Sequence, residues 1–232
     1  MSTIKENIEQ IRENIKHAAL KSGRSSDDIT LIGVTKTVDC ERIRELLDAG
    51  VNNLGENRVQ ELLSKYDALK TNQQLAPIWH LIGQLQTNKV KYITDKVSLI
   101  HSVDSVKLAS EINRQALKYG KTVDVLVEIN IAGEDTKAGI APKEIRQFFE
   151  KISNFPNISI KGLMTIAPYV ENPEENRGNF SNMRELFVDK SLILSDNIDM
   201  RVLSMGMTGD YEVAIEEGAT MVRIGTGIFG SR

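Results

Sequence analysis

The feature that most constrains this chain is a repeated couplet, a short apolar run followed by an amphipathic stretch with helical spacing. Eight such runs are present. The first, Ile29-Thr30-Leu31-Ile32-Gly33-Val34-Thr35, is continuous and rich in β-branched residues, the pattern of a strand buried on both faces. The others fall at Asn52–Leu54, Ile78–Leu81, Leu99–His101, Val123–Ile129, Ile158–Leu163, Arg201–Leu203 and Met221–Ile224. Between them the spacing predicts helices over Arg58–Leu69, Thr87–Thr94, Ser105–Lys118, Pro142–Ile152, Glu174–Leu194 and Asp210–Glu217, with another opened by Asp39 and ended by Gly50. Asp104 and Thr208 stand at N-cap positions, and Gly120 and Gly218 at C′ positions. Eight strands in strict alternation with helices predict an α/β fold closed as a (β/α)8 barrel, ahead of a doubly wound open sheet.

The two ends depart from plain alternation. Thr3 and Glu6 form a capping box for a helix that precedes every strand; it carries Ile4, Ile8, Ile11 and Ile15 on one face and stops at Gly23. After the eighth strand only Gly225–Arg232 remain, too few for a closing helix. The N-terminal helix is therefore expected to take the open place in the outer ring. No Ser-, Gly- or Pro-rich linker interrupts the pattern, so residues 1–232 are expected to form one domain.

Composition narrows the partners. With 29 Lys+Arg against 32 Asp+Glu the net charge is -3, which gives no polyelectrolyte footprint and speaks against nucleic acid. The single Cys40 excludes a disulfide framework or a cysteine metal cluster and fits a reducing compartment. The opening MSTIKENIEQ is polar and is not a secretory signal, and no apolar run reaches the ~18 residues of a membrane span. These features predict a cytoplasmic globular protein without a membrane partner. No long exposed apolar stripe marks an obligate interface, so a monomer is expected.

In a barrel the chemistry gathers at the C-terminal ends of the strands. Lys36 directly follows the first strand, where a desolvated lysine becomes available for Schiff-base chemistry; most lysines simply stay in water. The segments Ser204-Met205-Gly206-Met207-Thr208-Gly209 and Arg223-Ile224-Gly225-Thr226-Gly227 follow the seventh strand and span the eighth, where barrels often hold a phosphate. Arg223 interrupts an apolar strand and needs an anion, or an internal partner such as Glu128 or Glu56. Polar residues end further strands: Glu56 and Asn57, His80, His101, Asn130 and Thr165. His80 and His101 have no third ligand spaced for a metal, and no metal site is expected. A lysine, two phosphate loops and an arginine make a pyridoxal 5′-phosphate site. An arginine at the pyridine nitrogen cannot protonate it as a carboxylate would, which makes the ring a weaker electron sink.

The motifs Thr35-Lys36-Thr37, Gly55-Glu56-Asn57-Arg58-Val59-Gln60-Glu61, Trp79-His80-Leu81-Ile82-Gly83-Gln84-Leu85-Gln86-Thr87-Asn88-Lys89 and His101-Ser102-Val103-Asp104-Ser105 resemble the pyridoxal phosphate homeostasis family. So do Lys161-Gly162-Leu163-Met164, Leu203-Ser204-Met205-Gly206-Met207-Thr208 and the stretch from Glu216 to Gly230. The resemblance spans nearly the whole chain. It implies the barrel shared with the N-terminal domain of alanine racemase, the type III fold of pyridoxal phosphate proteins, without that enzyme's C-terminal β-domain. It implies Lys36 as the aldimine lysine, phosphate contacts from Ser204, Gly225 and Thr226, and Arg223 near the ring nitrogen. Asn57, Met205 and His80 would lie around the cofactor. Thr35 and Thr208 stand where serine is frequent and keep the hydroxyl; Gly209 replaces a frequent acidic residue.

The function expected from this set is to hold pyridoxal phosphate on a lysine, buffer it and deliver it to apo-enzymes. The alternative is a weak racemase using one base, because the tyrosine that serves a full racemase as second base belongs to the β-domain. A Schiff-base aldolase gripping a sugar phosphate is a third class, whose own motifs are not apparent.

Overall fold

The computed structural model describes residues 2–69, 77–134 and 137–230. The elements run α1 (Ile4–Lys21), β1 (Thr30–Val34), α2 (Cys40–Asp48), β2 (Asn53–Glu56), α3 (Val59–Leu69), β3 (Ile78–Leu81), β4 (Leu99–Val103), α4 (Val106–Lys118), β5 (Val123–Glu128), α5 (Ile145–Ile152), β6 (Ile158–Met164), α6 (Arg177–Val188), β7 (Ile198–Ser204), α7 (Tyr211–Glu216), β8 (Met221–Ile224) and α8 (Thr226–Phe229). All strand pairs are parallel, and β1 pairs with both β2 and β8, closing an eight-stranded barrel in sequence order.

The alternation of inward and outward side chains divides the core in two. Inside the barrel Ile32, Leu99, Leu126, Met164 and Met221 form a small apolar plug. Outside it a much larger cluster fills the space between sheet and helices, with Leu54, Leu81, Ile100 and Val222 from the strands against Leu46, Leu62, Ile112 and Phe149 from the helices. The register slips between β6 and β7 at Gly162, where φ is +148°. A Cβ there would stand 1.9 Å from the Val202 carbonyl oxygen, so the two backbones approach closely only because this residue has no side chain.

The N-terminal helix behaves as its pattern predicts. The Thr3–Glu6 capping box is formed and Ile4, Ile8, Ile11 and Ile15 are buried, each burial being worth roughly 1.5–3 kcal/mol. It packs against α2 on one side and α7 and α8 on the other, in the eighth place of the ring. Asn7 Nδ2 donates to the Ile228 carbonyl at 2.8 Å and Asn14 Nδ2 to the Tyr211 hydroxyl at 2.9 Å. The described part of the Gly225–Arg232 tail makes only a single helical turn, α8, and residues 231 and 232 lie outside the described residues.

Other local differences have local causes. Thr87–Tyr92 is a 3-10 helix, with no side-chain cap to start a longer α-helix. The stretch expected as one helix over Glu174–Leu194 begins as a 3-10 turn, Pro173–Asn176, and is cut after Val188, where Asp189 accepts from the Ser191 N–H and starts a separate turn. Ser105, not Asp104, caps α4 through its hydroxyl. Asp210, not Thr208, stands at the N-cap of α7 and accepts from the Met207 N–H at 2.7 Å. None of the helices among the described residues is long and apolar enough to cross a membrane.

Candidate functional site

Lys36 lies two residues beyond β1 and is exposed. The turn that carries it is held from the outer layer. Thr37 is the one described non-glycine residue with positive φ, +59°, a conformation costly for a β-branched residue. Its N–H donates to Glu61, and the Val38 N–H closes on the Thr35 carbonyl at 3.0 Å. Beneath the turn, Lys65 of α3 is almost fully buried and donates to the Thr35 carbonyl at 2.6 Å, to Glu56 Oε1 at 2.7 Å and to Glu61 Oε1 at 2.6 Å. The Thr35 hydroxyl donates to the same Glu56 oxygen at 2.6 Å. Burial pushes the Glu56 carboxyl up while Lys65 and Thr35 pull it down, and burial prevails. Its Oε2 has no partner among the described residues.

The loops after β7 and β8 are joined to each other and to β1. The Gly227 N–H donates to Thr208 Oγ1 at 3.2 Å and the Arg223 N–H to the Gly206 carbonyl at 3.1 Å. Strands β1 and β8 run in register to Gly33 and Ile224, and a Cβ on Gly225 would meet Val34 at 3.4 Å. Gly225 and Thr226 are therefore brought beside the strand end that leads to Lys36.

Arg223 points into the barrel and is 3% exposed. It finds acceptors in neutral oxygens and not in the alternative carboxylates Glu128 or Glu56: Nη1 donates to Ser204 Oγ at 2.6 Å and Nη2 to the Thr165 carbonyl at 2.8 Å. Glu56 lies on the outer side of the sheet with Lys65, and Glu128, inside, makes no ion pair with Arg223. Burial lowers the guanidinium to about 10, offset in part by Glu128 and Asp210. Glu128 is pushed up to about 7, first by burial and then by Asp104, with Arg223 opposing. Among the described residues this buried cation's side chain makes two hydrogen bonds, against five N–H donors.

Ser204 also meets His101 Nδ1 at 3.2 Å, His101 Nε2 meets His80 Nδ1 at 3.1 Å, and His80 Nε2 meets Asn53 Oδ1 at 3.0 Å. Burial lowers His80 to about 4. It lowers His101 well below the ordinary histidine range, helped by His80 and Arg223. Both rings are neutral near pH 7. Asn57 faces a cavity of about 330 Å³ at the C-terminal mouth, shared with Gln84, Glu128, Asn130 and Lys137.

The residues expected around a cofactor thus divide. Lys36, Gly225, Thr226, Ser204 and Arg223 converge on the β7–β8–β1 side of the mouth, and Asn57 stands over the cavity on the β2–β3 side. His80 sits deeper, joined to Ser204 through His101. Met205 does not come to the mouth: its side chain is buried in the outer layer and its N–H is bonded to the Met221 carbonyl at 3.2 Å. Lys65 was not singled out by sequence reasoning. Its signal was a lysine on the face carrying Leu62 and Leu69, four residues after Glu61. Among the described residues there is no cluster of three or more His, Cys, Asp or Glu able to hold a metal.

Residues 5–232 match the family model described as alanine racemase, N-terminal domain. A pyridoxal phosphate homeostasis protein of Aquifex aeolicus (strain VF5) is 49% identical over 227 residues, covering 98% of this chain and 97% of that protein. The chain belongs to the pyridoxal phosphate homeostasis protein family. Another similar structure, PipY of Synechococcus elongatus PCC7942 with PLP bound, has a TM-score of 0.84 and 31% identity, covering 98% of this chain and 100% of that one. An alanine racemase of Clostridium difficile 630 shares the fold at a TM-score of 0.72, with 18% identity, and this member of the homeostasis family covers 57% of its length.

Proposed function

We propose that this protein binds pyridoxal 5′-phosphate, buffers it and passes it to apo-enzymes, maintaining a protected supply of the aldehyde. The observation that carries the reading is the convergence of Lys36, the joined Thr208–Gly227 loops and the buried Arg223 at one side of the barrel mouth. Each residue type suits one part of the cofactor. The Lys36 amine captures the aldehyde, with its turn held by Glu61 and Lys65. Ser204 and Thr226 hydroxyls and the Gly225 backbone take the phosphate. Arg223 donates toward the pyridine nitrogen, Asn57 borders the ring, and His80 and Met205 support the site from below and behind. When bound, the cofactor supplies an electrophilic carbonyl and an electron-withdrawing ring.

The name of the Aquifex relative and the PLP bound to PipY support the same reading. It takes residues 1–232 as one cofactor-holding barrel domain, a monomer working in the cytoplasm among apo-enzymes, in keeping with the lone Cys40. The test is an absorbance spectrum of wild type and Lys36→Ala with and without added pyridoxal phosphate. Wild type is expected to be yellow and Lys36→Ala to lose the lysine-bound band. A wild-type spectrum indifferent to the cofactor would overturn the proposal.

A further inference from the structure

The chain of buried Arg223, Ser204, His101 and His80 and half-buried Asn53 crosses the barrel interior, and its hydrogen bonds have a direction. Arginine only donates, so Ser204 Oγ accepts from Arg223. Among the described residues the one acceptor recorded beside the Ser204 hydroxyl is His101 Nδ1. If Ser204 donates there, His101 carries its proton on Nε2 and donates to His80 Nδ1. His80 then carries its proton on Nε2 and donates to Asn53 Oδ1. Each link from Ser204 to Asn53 is made, and both rings are neutral, as their burial requires.

A second arrangement satisfies the same atoms with every bond beyond Arg223 reversed. Asn53 turns its amide and donates from Nδ2 to His80 Nε2, His80 donates from Nδ1 to His101 Nε2, and His101 donates from Nδ1 to Ser204. The Asn53 amide has no other recorded hydrogen bond among the described residues to oppose the turn. In this arrangement the Ser204 proton is released to point at an oxyanion. A neutral relay ending in an amide can do this, because each imidazole exchanges one tautomer for the other and the amide offers either an acceptor or a donor.

We propose that His101, His80 and Asn53 are positioning residues that reverse the direction of this relay when a phosphate oxygen accepts a hydrogen bond from Ser204. The Ser204 proton passes to His101 Nδ1, the His101 Nε2 proton to His80 Nδ1 and the His80 Nε2 proton to solvent in the pocket that His80 lines with Asp124 and Lys161, while solvent returns one proton to Ser204. The proposal rests on the reading of Ser204 as a phosphate contact. It gives Ser204 two faithful states: tied into the barrel without ligand, and a donor to phosphate with it. Neither state leaves Ser204, His101 or His80 without its partner in the relay.

The test uses the full-length protein with 15N-labelled histidine, stripped of cofactor and then reloaded; exposed His17 serves as reference. Long-range 1H–15N spectra separate the two tautomers. Without ligand His80 and His101 are expected as Nε2–H. With pyridoxal phosphate bound both become Nδ1–H, and with pyridoxal, which lacks the phosphate, both stay Nε2–H. Attachment of pyridoxal phosphate, seen by absorbance, without a tautomer change overturns the relay alone; no attachment overturns the cofactor reading together with it. A second measurement uses Asn53→Asp, whose carboxylate can only accept and so locks the first direction. Affinity is expected to fall about tenfold for pyridoxal phosphate and to stay within about twofold for pyridoxal. An equal loss for both ligands would mean a merely structural role and overturn the proposal.

Discussion

Glu56 and Glu128 sit on opposite faces of the same barrel wall, and the protein treats them in opposite ways. Glu56 faces the outer layer, where Lys65 stands at 2.7 Å and Thr35 at 2.6 Å. Glu128 faces the interior, where Arg223 is bonded elsewhere and acts on it only at a distance. Outside, charge is answered at contact, and the result is a rigid support for the Lys36 turn. Inside, a carboxyl and a guanidinium are both kept buried with donor and acceptor capacity in hand. The first arrangement is structural. The second is what a site looks like when it is built to receive something polar.

The strongest way to break the comparison is to remove Lys65. Lys65→Met leaves Glu56 buried without its cation and is expected to cost about 3–5 kcal/mol in urea denaturation. The loss has a sign with pH. Without Lys65, burial raises the Glu56 carboxyl further, so stability is fullest in acid and falls as pH rises through the new folded value. The deficit should be larger at pH 8 than at pH 5. The double variant Lys65→Met, Glu56→Leu should recover most of it, because a volume-matched apolar pair removes the stranded charge. A single-variant loss below about 1 kcal/mol would mean the outer pair is not the anchor claimed for it.

How far such a distinction could be read from sequence depends on separation along the chain. The eight strands, the capping box at Thr3 and the position of Lys36 just past the first strand are local signals, and all are formed, although β7 begins at Ile198, ahead of the run read from Arg201, and β2 extends to Glu56. Arg223 was legible as an oddity in an apolar strand, but its partners were not. Ser204 and the Thr165 carbonyl lie 19 and 58 residues away, and neither carries a charge to match. The His101–Ser204 contact spans 103 residues and depends on barrel closure. Lys65 failed for a different reason. Long lysines are ordinarily solvated, and only its place between Leu62 and Leu69 argued otherwise. Helix boundaries were lost where a 3-10 turn depends on a cap two residues away, as at Asp189.

The interior half of the comparison is sharpened by Glu128→Gln. The folded carboxyl stands near 7 against an ordinary 4.5. A raised acid favours the folded state below the unfolded value and loses that contribution as pH rises through the folded one. Wild type therefore carries a cost at pH 8 on the order of 3 kcal/mol that is absent at pH 4, and glutamine removes it. The variant should melt higher than wild type at pH 8 and match it at pH 4. The histidines act oppositely. His80 and His101 are held neutral, so stability is lost as pH falls from the ordinary histidine range toward 4. Both proteins share that loss, and the difference between them isolates Glu128. A variant no more stable than wild type at pH 8 would mean that the interior carboxyl is already answered at contact, like Glu56.

Glu61→Gln gives the smallest expected effect and separates support from stability. Glu61 is about a quarter exposed, and against the upward push of burial its bonds from Lys65 and the Thr37 N–H hold it low. Its stabilising contribution is therefore present at neutral pH and lost as pH falls through the lowered folded value. Glutamine keeps an acceptor for Thr37 but gives up the charge, so the global loss should be about 1 kcal/mol or less. The buried Lys65 remains bonded to Glu56 and to the Thr35 carbonyl. What should move instead is the turn. Thr37 sits in a backbone conformation costing of order 1–3 kcal/mol, and weakening its anchor releases that strain locally. Amide exchange at Thr37 and Val38 should quicken by more than the global loss accounts for, while exchange in β1 stays unchanged. Uniform quickening across β1 and the turn would show that the outer network stabilises the barrel as a whole and does not single out the segment that presents Lys36.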